Sequence, residues 1–373
     1  MRFADVIGQE DVKEHLRRLV RGGRVPHAML FAGNAGVGQL PLAIATAQYM
    51  CCERRSEEDA CGVCPSCVKF GKLSHPDLHF TFPIVKSAEK RVEVCDDMVE
   101  VFRQYVSMNP YISVNAWFAG ACGGKAGMIY AREGDEIIRK LSFKPYESSC
   151  KVMVIWAPEL MKEECANHLL KFIEEPPENT LFFLATDAEE RILGTIRSRC
   201  QRIGLPPVDM GSLVSAASER FGLGGVEAER FARLASGSWG RLCEEVKRSD
   251  DETAYFDMFK QMMRLAWTLD VKEIKLWSER MAGMGRDEQK QFLQTAQHEV
   301  RENFISHLGD PRLVYMNAEE AGFSEKFSRF INERNVERMM AELELAENQI
   351  EQNVSSKIVF FHMMFSLYRL LKM

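Results

Sequence analysis

A glycine-rich loop near the amino terminus places the strongest constraint on the fold of this sequence. Residues 33–40 read G-N-A-G-V-G-Q-L. The loop follows a short apolar run, Ala28–Ala32, and precedes a helix-like segment with Pro41 in its first turn. Phosphate-binding loops occur in this order of strand, loop and helix. We therefore predict an α/β domain with a parallel sheet and flanking helices; the alternative is a glycine-rich turn unrelated to nucleotides.

The loop keeps the glycines of a phosphate-binding loop but lacks its reactive side chains. Gly33 and Gly38 have the spacing of the pattern G-x-x-x-x-G-K-[ST], and Gly36 lies between them. Gln39 replaces the lysine that contacts the phosphates, and Leu40 replaces the hydroxyl residue that binds Mg²⁺. Phosphoryl transfer depends mainly on positioned charge and metal. We therefore expect that this degenerate loop does not bind ATP productively.

A second predicted strand ends without the acidic residues of an ATPase. The apolar run Val152–Ile155 reads as a buried parallel strand. In active ATPases of this layout such a strand ends in Asp-Glu, which support the metal and the attacking water. Here Trp156 and Ala157 occupy these positions, and Glu159 comes two positions too late. We interpret Glu159 as a surface or helix-capping carboxylate.

Four cysteines between the first helix-like segment and residue 67 have the spacing of a metal site. Cys61, Cys64 and Cys67 form the run C-G-V-C-P-S-C, and Cys52 lies upstream. Four thiolates complete a tetrahedral structural zinc site, which leaves no open position for catalysis. We predict structural zinc bound by these four residues, with Cys51 as an alternative fourth ligand. An iron–sulfur cluster and a set of buried thiols are the other interpretations.

Composition limits the remaining possibilities. With 373 residues, 46% hydrophobic and 27% charged, the chain is expected to form two or three globular domains. A formal net charge of −6 argues against a surface that binds nucleic acid throughout. Residues 1–10 lack the apolar core of a signal peptide, and the apolar segment Ile358–Leu371 contains His362 and Arg369. We therefore expect a cytoplasmic protein without a membrane span.

Several further motifs together carry a family resemblance. They are F-A-D-V-I-G-Q at 3–9, H-A-M-L-F-A-G at 27–33, the cysteine cluster, H-P-D at 75–77, N-x-L-L-K-x-x-E-E-P-P at 167–177 and S-R-C at 198–200. With these motifs the chain resembles the delta-prime family of the bacterial DNA polymerase III clamp loader, which belongs to the AAA+ class. The resemblance covers nearly the whole chain. It departs from the family pattern in a long segment at about 83–128.

The resemblance implies a fold class and a domain order. The expected fold is an α/β AAA+ P-loop-type domain, a parallel sheet with flanking helices, followed by a small helical lid and an all-α collar. The implied boundaries are 1–206 for the AAA+ ATPase-like domain, 207–248 for the lid and 249–373 for the collar through which subunits form a ring. The first domain would contain a zinc-binding module at about 51–70 and the long insertion at about 83–128.

The resemblance also implies a function. Delta-prime subunits commonly have a degenerate loop and supply an arginine finger from S-R-C, which in this chain is Arg199. The chain would then be a non-hydrolysing stator in the DNA polymerase III holoenzyme. Its partners would be the clamp-loader ATPase subunits and the clamp-opening delta subunit, with the sliding clamp and primed DNA reached through the assembly. The alternatives are an AAA+ ATPase active in its own right and a zinc-dependent DNA-binding protein.

Overall fold

A computed structural model describes residues 1–87, 91–308 and 318–373. The chain forms two compact units, Met1–Val246 and Lys247–Met373. The first unit contains a parallel sheet with helices on both faces, and the second is helical in the residues described. The predicted α/β fold, a parallel sheet with flanking helices followed by helical segments, is confirmed. The predicted limits of the AAA+ domain, lid and collar stay predictions.

The sheet of the first unit is built from five parallel strands. These are β1 Ala28–Gly33, β2 Leu78–Thr81, β3 Lys151–Trp156, β4 Thr180–Thr186 and β5 Gln201–Leu205, in the spatial order β2-β3-β4-β1-β5. Every pair in this order is parallel. The three central strands are apolar and almost entirely buried because helices cover both faces of the sheet.

Side chains alternate between the two faces of the sheet, as strand geometry requires. On β1, Met29 and Phe31 contribute to one hydrophobic core, and Ala28 and Leu30 contribute to another. The helices of the first unit are α1 Glu10–Arg21, α2 Gln39–Cys51, α3 Pro65–Gly71, α4 Val99–Met108, α5 Val114–Ala121, α6 Ala131–Leu141, α7 Glu163–Glu174, α8 Gly194–Arg197, α9 Met210–Phe221 and α10 Gly225–Ala235.

The second unit has a hydrophobic core of its own. Helix α11, Trp239–Thr268, begins in the first unit and ends in the second. It is followed by α12 Val271–Ala282, α13 Arg286–Leu308, α14 Ala318–Phe327, α15 Val336–Glu351 and α16 Ser356–Leu371. Apolar residues recur at helical spacing, so that each helix buries one side, for example Met339 and Leu343 on α15. No helix among the described residues is both long and apolar enough to cross a membrane.

The residues described between 91 and 128, in the segment expected to be an insertion, contribute aromatic side chains that pack beside the sheet. Trp117 of α5 is completely buried, and its indole N–H donates to the carbonyl of Pro83 at 2.8 Å. Its ring lies edge-on to Phe82 and Phe102 at 5.5 and 5.6 Å. The aromatic residues of this insertion therefore add to the core of the first unit.

The H-P-D motif fixes a loop that precedes β3. The Asp77 carboxylate is buried and accepts hydrogen bonds from the backbone N–H groups of Tyr146, Glu147 and Ser148 at 2.6 to 2.8 Å. Burial by itself would raise the pKa of Asp77, but these hydrogen bonds outweigh it and lower the pKa. The ionised carboxylate therefore stabilises the folded loop.

We expect Asp77→Asn to destabilise the first unit by about 1–3 kcal/mol at pH 7, because the backbone donors lose a charged acceptor. A lowered pKa means that this stabilisation is complete above the unfolded pKa of about 3.9 and is lost as the pH falls through the folded value. Urea unfolding of the wild-type chain and of Asp77→Asn, at pH 7 and below pH 4, measures the difference between their free energies of unfolding. A difference that stays constant over this range would contradict the role of the ionised form.

Candidate functional site

The degenerate phosphate loop is closed by its own glutamine. Gly36 and Gly38 have φ angles of 75° and 116°, which glycine adopts without strain. The Gln39 side-chain amide donates to the carbonyls of Gly33 and Asn34 at 2.7 and 2.8 Å. Its Oε1 accepts from the backbone N–H of Gly38 at 3.2 Å. The side chain that replaces the lysine therefore occupies polar groups of the loop instead of extending beyond it.

Leu40, the residue in the metal-binding position, belongs to the core. It is 3% exposed and packs with the apolar residues of α2. Its side chain carries no oxygen that could bind a metal ion. The loop thus keeps its backbone shape while both of its reactive positions have structural roles.

The insertion and the start of α11 pack directly on the loop. A Cβ at Gly240 would lie 3.0 Å from the Gly36 Cα and 3.0 Å from the Tyr111 carbonyl oxygen. The Gly240 N–H donates to the Gly36 carbonyl at 3.1 Å, and Ser238 Oγ donates to the Ala35 carbonyl at 2.8 Å. A side chain at position 240 would fit only if the surrounding backbone shifted.

Tyr111 anchors this arrangement. It is 4% exposed, and its hydroxyl accepts a hydrogen bond from the backbone N–H of Ile7 at 2.7 Å. A Cβ at Gly38 would lie 3.4 Å from the Tyr111 ring, so the ring packs against the loop. Burial raises the pKa of Tyr111 above its usual range, which keeps the hydroxyl neutral. Sequence reasoning did not identify this residue because an isolated tyrosine in an insertion gives no signal of its position.

Trp156 replaces a metal-supporting acid with an aromatic contact. It is 6% exposed at the carboxyl end of β3, and its ring lies 5.7 Å from Phe102 and 6.4 Å from Trp117. Both partners belong to the insertion. The end of β3 therefore holds the insertion in place.

Glu159 differs from its sequence interpretation as a surface or helix-capping carboxylate. It is half-buried, and its Oε2 accepts a hydrogen bond from Thr186 Oγ1 at the end of β4, at 2.7 Å. Burial raises the pKa of Glu159 to about 7, and the nearby Asp187 acts in the same direction. The interpretation was wrong because the turn after β3 directs this side chain towards β4.

Together these residues leave a small cavity. The space bordered by the loop, Tyr111, Trp156, Glu159 and Thr186 has a volume of about 30 Å³. This volume suits one or two water molecules, whereas sites for drug-sized ligands occupy hundreds of cubic ångströms.

Arg199 of the S-R-C motif is held by the E-E-P-P motif. Its Nη2 lies 2.7 Å from Glu174 Oε1, and its Nη1 donates to the Thr195 carbonyl at 2.8 Å. The Arg199 side chain is 30% exposed. The two motifs are thus joined by an ion pair, a link that their separation in sequence gives no means to predict.

Arg199 and the phosphate loop lie near opposite ends of the parallel strands. Arg199 precedes β5, whose residue Gln201 pairs with Met29 at the start of β1, whereas Gly33 at the end of β1 begins the loop. Four residues of strand separate these positions along the sheet, which corresponds to roughly 13 Å. Arg199 therefore lies near the other end of these strands from the loop of its own chain.

The structure brings the four predicted cysteines together. One sulfur from each of Cys52, Cys61, Cys64 and Cys67 lies within 4.8 Å of the others, so the cluster could hold a metal ion. The sulfurs of Cys61 and Cys67 are 4.0 Å apart. Two sulfurs bound to one zinc at about 2.3 Å in tetrahedral geometry lie roughly 3.8 Å apart. Cys51 instead faces Cys150, with 3.9 Å between the sulfurs.

The backbone around this cluster is suited to thiolates. The N–H groups of Cys61, Cys64 and Cys67 donate to the sulfurs of Cys52, Cys61 and Cys64 at 3.3 to 3.4 Å. Backbone N–H groups of Val63 and Cys64 lower the pKa of Cys61 to about 6. The four residues therefore fit a tetrahedral, thiolate-bound ion.

Known proteins resemble this chain most over its first unit. A family model described as "DNA polymerase III, delta subunit" matches residues 8–209, more than half of the chain. DNA polymerase III subunit gamma/tau of Mycobacterium tuberculosis is 28% identical over 224 residues, which are 59% of this chain and 32% of that protein. DNA polymerase III subunit delta' of Bacillus subtilis is 27% identical over 248 residues, 66% of this chain and 61% of that protein.

The chain also has a low similarity to a solved structure. A gamma subunit-related protein of Thermotoga maritima has 12% identity and a TM-score of 0.37 over 97% of this chain and all of that one. The chain covers about a third of the length of the gamma/tau relative and less than two thirds of the delta' relative. The family match over residues 8–209 and the delta' relative agree with the resemblance carried by the sequence motifs. The chain therefore belongs to the family of DNA polymerase III, delta subunit, as a relative of the delta' subunits of the clamp loader.

Proposed function

We propose that this chain is a non-hydrolysing stator of a replicative clamp loader that donates Arg199 to the ATP site of a neighbouring subunit. The observation that carries the proposal is the position of Arg199. It lies near the amino-terminal end of β5, whereas the phosphate loop, which lacks its reactive residues, follows the carboxyl end of β1. A cation so placed serves a site on another chain. A guanidinium that reaches a γ-phosphate from a neighbouring chain stabilises the charge of phosphoryl transfer.

The filled pocket supports the non-hydrolysing part of the proposal. Gln39 uses the loop carbonyls, Trp156 replaces the acidic residue at the end of β3, and Tyr111 covers Gly38. Binding of a nucleotide would need displacement of Tyr111 and of the contact between Gly36 and Gly240. Glu159 is a carboxylate near the loop, but the loop has neither the lysine nor the metal-binding hydroxyl. In phosphoryl-transfer sites, positioned charge and metal supply most of the catalysis.

We expect the isolated chain to show no ATP hydrolysis above the buffer rate with ATP and Mg²⁺, because loop lysine, hydroxyl and strand acid are all absent. A phosphate-release assay measures turnover, and titration calorimetry measures binding. The variant Gln39→Ala, which removes the amide from the loop, is the matched control for a contaminating ATPase and should give the same zero rate. Turnover by the purified chain that disappears in this variant would favour an active AAA+ ATPase.

The ion pair of Arg199 suits a side chain that must change partners. Glu174 and Arg199 are 50% and 30% exposed, and exposed pairs of this kind contribute only about 0–1 kcal/mol. The bond from Nη1 to the Thr195 carbonyl supports the guanidinium from the α8 side. A phosphate group that approaches from a neighbouring subunit can therefore replace Glu174 at low cost.

We expect Arg199→Ala to lower the rate of ATP hydrolysis at the neighbouring site by on the order of 10³-fold, because the transition state loses its cation. The rate is measured by single-turnover hydrolysis in a loader reconstituted with its ATPase subunits and DNA. Arg197→Ala is the control, since this exposed arginine lies in the same segment. Equal rates for the wild type and Arg199→Ala in a fully assembled loader would refute the finger.

We also propose that Cys52, Cys61, Cys64 and Cys67 bind structural zinc. The site has a clear structural consequence, because the loop that carries these residues also holds the amino terminus. Asp59 accepts hydrogen bonds from the backbone N–H groups of Phe3 and Ala4 at 3.0 and 2.9 Å. When bound, zinc would cross-link α2, this loop and α3 and would stabilise the contact with the amino-terminal segment.

We expect Cys64→Ser to abolish stoichiometric zinc and to lower the melting temperature of the first unit by several degrees, since roughly 2–4 °C are lost for each kcal/mol in a unit of this size. Cys51→Ser is the matched control and should keep one zinc per chain, because Cys51 faces Cys150. Elemental analysis and circular dichroism provide the two measurements. Zinc retained by Cys64→Ser and lost by Cys51→Ser would reverse the assignment.

The partners and the location follow from the same proposal. The relatives named above are subunits of DNA polymerase III. We assign as partners the clamp-loader ATPase subunits and the clamp-opening delta subunit, with the sliding clamp and primed DNA contacted through the assembly. The corresponding location is the cytoplasm.

A further inference from the structure

The second unit carries an aromatic groove with a basic rim that the proposed function does not use. Its floor is formed by Trp267 near the end of α11 together with Phe327 and Phe330, and its rim by Arg264, Lys326 and Arg329. The cavity volume is about 290 Å³. We call this feature the basic-rimmed groove. It lies entirely within residues 247–373.

The floor of the groove is partly exposed. The Trp267 ring is 39% exposed and lies 4.8 Å from the Phe330 ring. The ammonium group of Lys372 lies 3.3 Å from the centre of the Trp267 ring and fixes its position by a cation–π contact. Aromatic surface held open in this way is typical of a binding site for an apolar side chain.

Three cations of the rim have no ion-pair partner among the residues that the structure describes. Arg264, Lys326 and Arg329 are exposed, and none of them forms a salt bridge with another described residue. The guanidinium of Arg329 lies 5.1 Å from the centre of the Phe330 ring, so a cation borders the floor directly. This concentration of positive charge occurs on a chain with a net charge of −6. The groove is therefore complementary to an acidic partner.

We propose that the basic-rimmed groove binds a short acidic peptide segment of a partner protein, with an aromatic or large aliphatic side chain seated in the cavity that Trp267, Phe327 and Phe330 line. The carboxylates of the segment would pair with the rim, and Arg264 and Arg329 can each bind a carboxylate through two parallel N–H donors. The proposal concerns the second unit alone and does not depend on the role of Arg199.

Two other occupants fit the groove less well. A second copy of this chain would bring an identical cationic rim to the same place in a symmetric contact, and like charges would repel. Single-stranded nucleic acid is bound along a basic track that follows several phosphates, whereas these cations surround one apolar cavity. The combination of one cavity and a compact rim favours a peptide anchor.

The test uses the full chain and a fluorescein-labelled peptide in which aspartates alternate with phenylalanines. Fluorescence anisotropy should detect saturable binding that weakens with added salt. Two matched peptides separate the contributions, one with asparagine for aspartate and one with serine for phenylalanine. An oligothymidylate of equal charge serves as the nucleic-acid probe. We expect all three to bind at least about tenfold more weakly than the acidic aromatic peptide.

Variants of the protein locate the site. Arg264→Glu combined with Arg329→Glu, and separately Trp267→Ala, should each weaken binding at least about tenfold. Lys272→Glu combined with Lys275→Glu reverses two charges on exposed residues of α12 outside the groove and should leave affinity within about twofold. Circular dichroism checks that each variant is folded. The proposal is overturned if the acidic peptide does not bind, if the asparagine or serine peptide binds equally well, if the oligothymidylate binds more tightly, or if folded groove variants keep full affinity.

Discussion

The close approach of Gly36, Gly240 and Tyr111 is the contact on which the first unit depends. Three backbone segments that are far apart in sequence meet where a single added methyl group would collide with main-chain atoms. Gly36 and Tyr111 also border the small cavity beside the loop, whose volume is about 30 Å³. Gln39, Trp156 and Tyr111 are thus held by contacts of one packed structure.

The parallel strands separate two groups of residues, the phosphate loop with its neighbours at one end and Arg199 at the other. The loop follows the carboxyl end of β1, and Trp156 and Thr186 lie at the carboxyl ends of β3 and β4. Arg199 lies in the segment before β5, near the amino-terminal ends of the strands. A sheet of this kind is stiff, since its strands are buried on both faces. A subunit with a filled pocket on one side can therefore present a cation on the other in a fixed position, which suits a stator.

The sequence predicted β1, β3 and the grouping of the four cysteines correctly, for an identifiable reason. β1, β3 and β4 are uninterrupted apolar runs bounded by turn residues, and Cys61, Cys64 and Cys67 are separated by the short intervals that metal ligands need. Such signals are local and need no knowledge of the fold. Glu159 was misread because its role depends on contact with β4, whose residues come more than twenty positions later in the chain.

The sequence by itself determined that the phosphate loop lacks a lysine and a hydroxyl, that four cysteines can share one ion, and that the chain resembles clamp-loader subunits. Only the tertiary structure decided that Gln39 and Tyr111 fill the pocket, that Cys52 and not Cys51 completes the cysteine cluster, and that Glu174 pairs with Arg199. The physical reason is that residue identity fixes which groups are available for chemistry. Their neighbours, by contrast, are set by the packing of segments that lie far apart along the chain.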